Sequence, residues 1–126
     1  MELVQVAQHV EDLDRAVAFY ENLLGTKAAG VYSPPGIAFF NLDGTRLLLD
    51  SKASTTRISL AVDDVEFSLD ELIKSGVVVE EEPHVIWQHR DDTLGPAGTD
   101  EWAATITDSE GNSVTLVSYA NTDPND

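Results

Sequence analysis

The feature that most constrains this chain is a pattern of aspartate and apolar residues that returns after 52 positions. In both copies an aspartate precedes apolar residues at helical spacing. The matching residues are Val10 with Val62, Asp12 with Asp64, Leu13 with Val65, Ala16 with Ser68, Val17 with Leu69, and Tyr20 with Leu72. Gly44 and Gly111 then align the hairpins that close each half. A repeat of this length predicts two similar modules, each a strand, a helix and three strands.

In the first half, alternation over residues 2–10 predicts a half-buried strand, and Asp12 is a candidate cap for the helix that follows. Gly25 is a plausible helix end. The predicted strands that complete this half cover residues 27–33, 37–41 and 45–50, with turns at 33–36 and 42–44.

In the second half, residues 57–62 alternate as a strand, and Asp63 or Asp64 can cap the next helix, with capping-box spacing from Asp63 to Glu66. Gly76 is expected to end that helix. Two short strands, at residues 77–79 and 85–87, are predicted on either side of an acidic segment. A loop at 89–99 follows, and then a hairpin whose strands cover residues 101–107 and 112–118.

At 126 residues the chain is expected to form a single domain. The predicted boundaries are a first module at 1–50, a linker at 51–56, a second module at 57–118 and a tail at 119–126, of which residues 121–126 are expected to be frayed.

The chain is strongly acidic, with 23 Asp and Glu against 7 Lys and Arg and a formal net charge of −16. Such a surface repels phosphate backbones and anionic lipid, so neither nucleic acid nor a membrane is expected as a partner. The composition suits a protein kept soluble in high salt and suits an acidic cytosolic protein equally well.

The sequence has no cysteine, which excludes thiolate metal sites and a cysteine nucleophile. No signal peptide is expected, because neither a basic region nor a long apolar run follows residues 1–2. No stretch approaches the roughly 20 apolar residues of a membrane span. A cytoplasmic location is therefore the expectation.

Three motifs resemble one known family. They are Val10-x-Asp-Leu-x-Arg-Ala-x-x-Phe-Tyr-x-x-x-Leu-Gly25, then Val62-Asp-Asp-Val65, then Asp108-x-x-Gly-Asn112 before a closing strand. Together they resemble the vicinal oxygen chelate superfamily of glyoxalases, bleomycin resistance proteins and extradiol dioxygenases, over about residues 3–118. The resemblance implies an α+β fold in which two paired βαβββ modules form a curled mixed sheet, a cup with helices outside and a ligand or metal inside.

Such a fold requires each strand to turn an apolar side to a helix and a mixed side to the cup. Four predicted strands obey this rule. Their cup-facing residues are Gln5, Ala7 and His9; Arg46, Leu48 and Asp50; Arg57, Ser59 and Ala61; and Ser113, Thr115 and Val117.

In metal-dependent members of the family, the resemblance places ligands at four equivalent strand positions. Matching the motifs gives Gln5, Leu48, Arg57 and Thr115 here. A divalent metal prefers imidazole and carboxylate donors, whereas leucine offers none and arginine repels a cation. No metal or other cofactor is therefore expected, although Asp50, on the face of Leu48, is an alternative ligand if the register differs.

The three histidines lack the close spacing of a metal site. His9 shares the face of Gln5, and is interpreted as a hydrogen-bonded residue of the cup wall or as a substrate contact. His84 begins a strand, with a structural turn role or a position at the pocket rim. His89 lies in a predicted loop and is expected to be exposed to solvent.

Glu101 and Trp102 open the seventh strand. Trp102 is a candidate cover for an apolar ligand, with core packing as the alternative. Glu101 is a candidate general base if it faces the cup, and a solvated carboxylate otherwise.

Two hypotheses follow. The first is a bleomycin-resistance-like protein that binds a small molecule without metal, and Arg57 suits an anionic ligand. The other candidate contacts are Gln5, His9, Leu48, Asp50, Trp102 and Thr115. The alternative is an isomerase, lyase or dioxygenase that uses a metal at Gln5 or acid–base chemistry by His9, Asp50 or Glu101. Family members of this size often pair, so a homodimer is expected.

Overall fold

The protein is represented by a computed structural model that describes residues 1–53, 56–109 and 111–123. Within these ranges it has two helices and eight strands. In chain order they are β1 (Glu2–His9), α1 (Leu13–Leu24), β2 (Gly30–Tyr32), β3 (Ile37–Leu42), β4 (Thr45–Asp50), β5 (Arg57–Ala61), α2 (Val65–Lys74), β6 (Val78–His89), β7 (Thr99–Thr107) and β8 (Ser113–Asn121).

The described chain groups into two compact units, one of Val4–Arg57 and one of Met1–Leu3 with Ile58–Asp126. The strands of the first unit follow the order β2-β3-β4-β1, and those of the second follow β6-β7-β8-β5. In each unit the first strand runs parallel to the last, and the other neighbours are antiparallel. The prediction of an α+β fold with two βαβββ modules is confirmed.

The two helices begin as the aspartates predict. The Asp12 side chain accepts a hydrogen bond from the Arg15 N–H at 3.0 Å. At α2, Asp64 rather than Asp63 is the cap, and its carboxylate accepts from the Phe67 N–H at 3.1 Å. α1 ends at Gly25, whose positive φ of 69° suits a residue without a side chain. Each cap satisfies a backbone donor that the first helical turn would otherwise leave open.

Each helix packs its apolar side on the strands of its own unit. Beneath α1, the buried residues are Ala38, Phe40, Leu47 and Leu49, and Leu13, Val17 and Tyr20 of the helix pack on them. At α2, the buried cluster joins Val65 and Leu69 of the helix to Ala104 of β7 and Leu116 of β8. Leu49 and Leu116 each lie five residues after a turn glycine, Gly44 and Gly111, so the repeat extends to the core.

The structure corrects several predicted strand boundaries. β6 is one continuous strand that includes Glu80–Pro83, where two shorter strands around an acidic segment were predicted. Its pairing with β7 absorbs the acidic stretch through register shifts between Val79 and Glu81 and between Glu81 and His84.

Toward the C-terminus, β7 begins at Thr99 rather than at residue 101, and β8 continues to Asn121, so residues 119–121 of the predicted tail belong to a strand. β2 covers only Gly30–Tyr32 of the predicted 27–33. Parts of the predicted linker, hairpin turn and tail, at residues 54–55, 110 and 124–126, lie outside the described residues. Neither described helix combines the length and apolar character needed to cross a lipid bilayer.

Candidate functional site

In the unit of Val4–Arg57, polar residues collect on the side of the strands that faces away from α1. Leu47 and Leu49 pack under α1, so the alternating residues of β4 point to the opposite face. The β1–β4 register pairs Gln5 with Arg46, Ala7 with Leu48, and His9 with Asp50. We call these six residues the Gln5 face. The sequence-predicted residues Gln5, His9, Leu48 and Asp50 are therefore brought together on one side of a two-strand pair.

Exposure varies along the Gln5 face. Arg46 is only 7% exposed, Gln5, Leu48 and Asp50 are half-buried, and His9 is exposed. The carboxylate of Asp50 accepts a hydrogen bond from the Lys52 N–H at 2.9 Å, so part of its capacity serves the turn after β4. Arg57, the predicted anion contact, begins β5 and is exposed.

In the second unit, the face of the sheet away from α2 carries three rows of side chains. Cross-strand partners share a face, and Leu60, Ala104 and Leu116 pack toward α2. The opposite face therefore carries a hydroxyl row of Ser59, Thr115 and Thr105, a small apolar row of Ala61, Val117 and Ala103, and a row of Tyr119, Glu101 and Trp87. We call it the Glu101 face.

Thr115, another sequence-predicted site residue, lies in the hydroxyl row. It is buried, and its Oγ1 is 3.4 Å from the Oγ1 of Thr105. A hydroxyl that is held by a neighbouring hydroxyl is satisfied without a ligand. Thr115 therefore contributes a polar but weakly donating group to this face.

Trp102 is not brought to the Glu101 face. It packs on the core cluster beneath α2, as the alternative interpretation held, and so lies on the opposite side of the sheet from Thr115. Its remaining exposed edge lines a hollow of about 250 Å³ beside the start of α2, with Asp64, Glu66 and Tyr119 among the lining residues. Trp102 and Thr115 therefore lie on opposite faces of this sheet, and a ligand contact by either residue stays a prediction.

The Glu101 face contains a buried polar contact that was not predicted from the sequence. His89 Nε2 lies 2.8 Å from Glu101 Oε1, and both side chains are only 2% exposed. The prediction that His89 is an exposed loop residue is wrong, because β6 continues to His89 and pairs it with Thr99. The interpretation of Glu101 as a solvated carboxylate is also wrong, because its side chain is buried against His89.

Aromatic rings and a loop enclose this pair. The His89 ring lies 5.8 Å from the ring of Tyr119 and 6.3 Å from that of Trp87, centroid to centroid. Gly95, from the loop between β6 and β7, lies directly against the imidazole. An imidazole held by a carboxylate and shielded from water is an arrangement that can store or pass a proton.

Continuity of alternation could have revealed the pair. Trp87 and His89 are two residues apart and follow the apolar Val85, so the pattern of the strand extends into the predicted loop. Gly95 carried no comparable signal, because its role depends on where the loop folds back.

The other two polar features near this loop are local. The exposed His84 lies within β6 rather than at a strand start, and its Nδ1 is 2.9 Å from the carbonyl oxygen of Glu82. Hydrogen bonds from the side chain and then the backbone of Thr93 lower the pKa of Asp91 below its ordinary value of 3.8, and the charge of His89 adds to this effect while burial opposes it.

The residues at the family's metal positions do not fit a divalent cation. The donor set of Gln5, Leu48, Arg57 and Thr115 offers one amide, one hydroxyl, an alkyl chain and a fixed positive charge. In the part of the chain that the structure describes, no three histidine, aspartate or glutamate side chains come together as a metal site would require.

Comparison with known proteins agrees with the fold. The profile of the Glyoxalase/Bleomycin resistance protein/Dioxygenase superfamily matches residues 2–116. No curated protein matches the sequence. A superfamily member from Vibrio splendidus 12B01 is similar with a TM-score of 0.69 and 13% identity, over 94% of this chain and 98% of that one.

Two further solved structures are similar at this level. A variant of Streptomyces coelicolor methylmalonyl-CoA epimerase, in complex with 2-nitronate-propionyl-CoA, gives a TM-score of 0.62 and 16% identity over 94% of this chain and 96% of that one. A protein described as NAD-dependent benzaldehyde dehydrogenase from Legionella pneumophila gives 0.59 and 19%, over 92% and 98%. Likeness at such low identity establishes the fold and leaves the reaction open. Because the family profile spans nearly the whole chain, this protein belongs to the glyoxalase/bleomycin resistance protein/dioxygenase superfamily.

Proposed function

We propose that the protein binds a small anionic molecule through arginine side chains and without a divalent metal. The observation that carries this proposal is the donor set at the family's metal positions, where a cation-repelling arginine and a leucine stand among the four residues. A site that has exchanged metal ligands for Arg57 can hold an anion directly.

Arg46 supports the same interpretation. Its side chain is largely withdrawn from water and its Cα pairs with that of Gln5. Water around such a guanidinium is scarce, so charge-assisted hydrogen bonds to a carboxylate or phosphate gain strength there. The chain has only four arginines, and two of them, Arg46 and Arg57, occupy strand positions of the predicted ligand face despite the acidic composition.

Calorimetric titration tests the anion preference. The probes are malonate and inorganic phosphate, with uncharged malonamide as the reference ligand. We expect at least one anion to bind and malonamide to give no heat. Arg57→Leu and Arg46→Leu should each reduce the affinity at least tenfold, whereas Arg15→Leu, an equal loss of charge on α1, should leave it unchanged.

Equal losses in all three variants would mean that net charge, and not a site, governs binding. Heat from neither anion would contradict the proposal outright. Metal content gives an independent check: the protein is incubated with nickel, iron or manganese, dialysed and measured by elemental mass spectrometry. One metal ion retained per chain would overturn the metal-free part of the proposal.

Acid–base catalysis is the second candidate, and the enclosed His89–Glu101 pair favours it. The register of His9 with Asp50 places a second imidazole and carboxylate on adjacent strands. A protein of similar fold is described as methylmalonyl-CoA epimerase, so methylmalonyl-CoA is the first substrate to test. Loss of its C2 proton signal in deuterium oxide, faster than without protein, would establish catalysis; unchanged exchange would leave binding as the function.

A further inference from the structure

The loop that joins β6 to β7, residues 90–98, lies over the His89–Glu101 pair; we call it the covering segment. Its base is fastened to the sheet. The Gly98 N–H donates to the His89 carbonyl oxygen at 2.7 Å, and the Gly98 carbonyl oxygen accepts from the Thr122 N–H at 2.9 Å. The segment therefore leaves and rejoins the strands at fixed points.

Above that base, contact with the imidazole is made by a residue without a side chain. A Cβ built on Gly95 would lie 2.6 Å from His89 Cε1 and 2.7 Å from Nε2, closer than real Cβ atoms approach. The ring cannot move aside freely, because Glu101 holds it at 2.8 Å and the Tyr119 ring lies beside it. The segment can reach the imidazole only because position 95 is glycine.

The covering segment also carries its own internal hydrogen bonds. The Thr93 N–H donates to Asp91 Oδ1 at 3.0 Å, and the Ala97 N–H donates to Asp92 Oδ1 at 2.9 Å. Local bonds of this type hold a turn in shape without help from the surface below. The segment can thus move away from His89 as a formed unit above the two backbone hydrogen bonds that hold Gly98.

We propose that the covering segment is a lid that opens locally, and that its closure, set by the fit of Gly95, controls access to the imidazole of His89. When the lid is shut, the pair is dry and inert. When it lifts, a carboxylate-held imidazole is presented on the Glu101 face, where it can exchange a proton with a small molecule. This proposal does not depend on anion binding by Arg46 or Arg57.

Diethylpyrocarbonate, which acylates accessible imidazoles, measures the opening directly. Peptide mass spectrometry reports separate rates for His9, His84 and His89, the three histidines of the chain. The exposed His84 is the internal reference. In the native protein we expect His89 to react at least tenfold more slowly than His84.

Gly95→Ala should raise the His89 rate at least tenfold and leave the His84 rate unchanged. Ala97→Ser is the matched control, since it also adds one heavy atom to the covering segment but at an exposed position away from the ring. We expect native rates from it. An unreactive His89 in a folded Gly95→Ala protein would overturn the proposal, and so would a His89 that reacts as fast as His84 in the native protein.

Urea distinguishes local from global opening in the unaltered protein, so the test stands even if Gly95→Ala fails to fold. A lid that opens locally exposes little new surface, and the His89 rate should stay flat at low urea concentrations. If His89 reacts only through global unfolding, its rate will climb with the full denaturant slope of the protein. That second result would rule out the lid.

Discussion

His89 Nε2 and Glu101 Oε1 lie 2.8 Å apart with both side chains excluded from water, so two ionisable groups from neighbouring strands depend on each other. Removing one partner of such a pair leaves the other buried without compensation. Charged or hydrogen-bonded groups stranded in this way cost far more than exposed ion pairs contribute.

The first prediction concerns this pair. We expect Glu101→Ala to lower the free energy of unfolding by about 3 kcal/mol, because the imidazole loses its buried acceptor. Urea denaturation measures the change. Glu81→Ala, which removes an exposed carboxylate from β6, should change stability by less than about 0.5 kcal/mol. Similar losses in the two variants would show that the pair adds no special stability.

The second prediction concerns the core beneath α1. Leu49 is fully buried, so Leu49→Ala should lower the free energy of unfolding by about 3 kcal/mol, through lost apolar contact and the cavity left behind. Urea denaturation measures this change. Leu23 is 63% exposed on α1, so Leu23→Ala should stay within about 0.5 kcal/mol of the native protein. A large loss at Leu23 instead would indicate that this side of α1 is covered in solution.

The third prediction separates two adjacent aspartates. The Asp64 carboxylate accepts a hydrogen bond from the Phe67 N–H, so Asp64→Ala should lower the free energy of unfolding by about 1 kcal/mol. Asp63→Ala removes the same charge one residue earlier and should cost clearly less. Thermal unfolding of both variants checks this assignment, and a reversed order would mean that Asp63 is the working cap in solution.

The fourth prediction concerns Asp91, whose pKa is lowered mainly by the Thr93 side chain. Because the folded pKa lies below the ordinary value of 3.8, ionised Asp91 favours the folded turn above that pH, and the contribution is lost as pH falls through the folded value. Thr93→Val should move the pKa up toward 3.8, and Thr93→Ser should not. Carboxyl carbon NMR measures both, and an unchanged pKa in Thr93→Val would exclude the hydroxyl as the cause.

Much of the fold was predictable because the repeated residues determine helix ends and strand faces through interactions between near neighbours in the sequence. Asp12 and Gly25 bound α1 through backbone capping, which short sequence signals encode. In β4, the charged Arg46 and Asp50 share the face of Leu48, and this two-residue period was sufficient to assign Leu49 to the core.

The pairing of His89 with Glu101 was not predictable in the same way. It requires β6 to continue past an acidic stretch and a proline, which local preference disfavours, and the register shifts that permit it arise from pairing with β7. The fit of Gly95 depends on how the loop returns over the sheet, which no periodicity records. Placement of Trp102 under α2 likewise follows from its pairing with Ser118 of β8.

The irregular course of β6 bears on whether copies of this protein aggregate. This strand ends the order β5-β8-β7-β6, and an edge of that kind is where sheets recruit further chains and grow into aggregates. Here the edge carries the consecutive acids Glu80, Glu81 and Glu82, then Pro83, which has no N–H to offer an incoming strand. The same register shifts that carry the strand as far as His89 also break its regular spacing, so β6, the longest of the described strands, is a poor template for fibril growth.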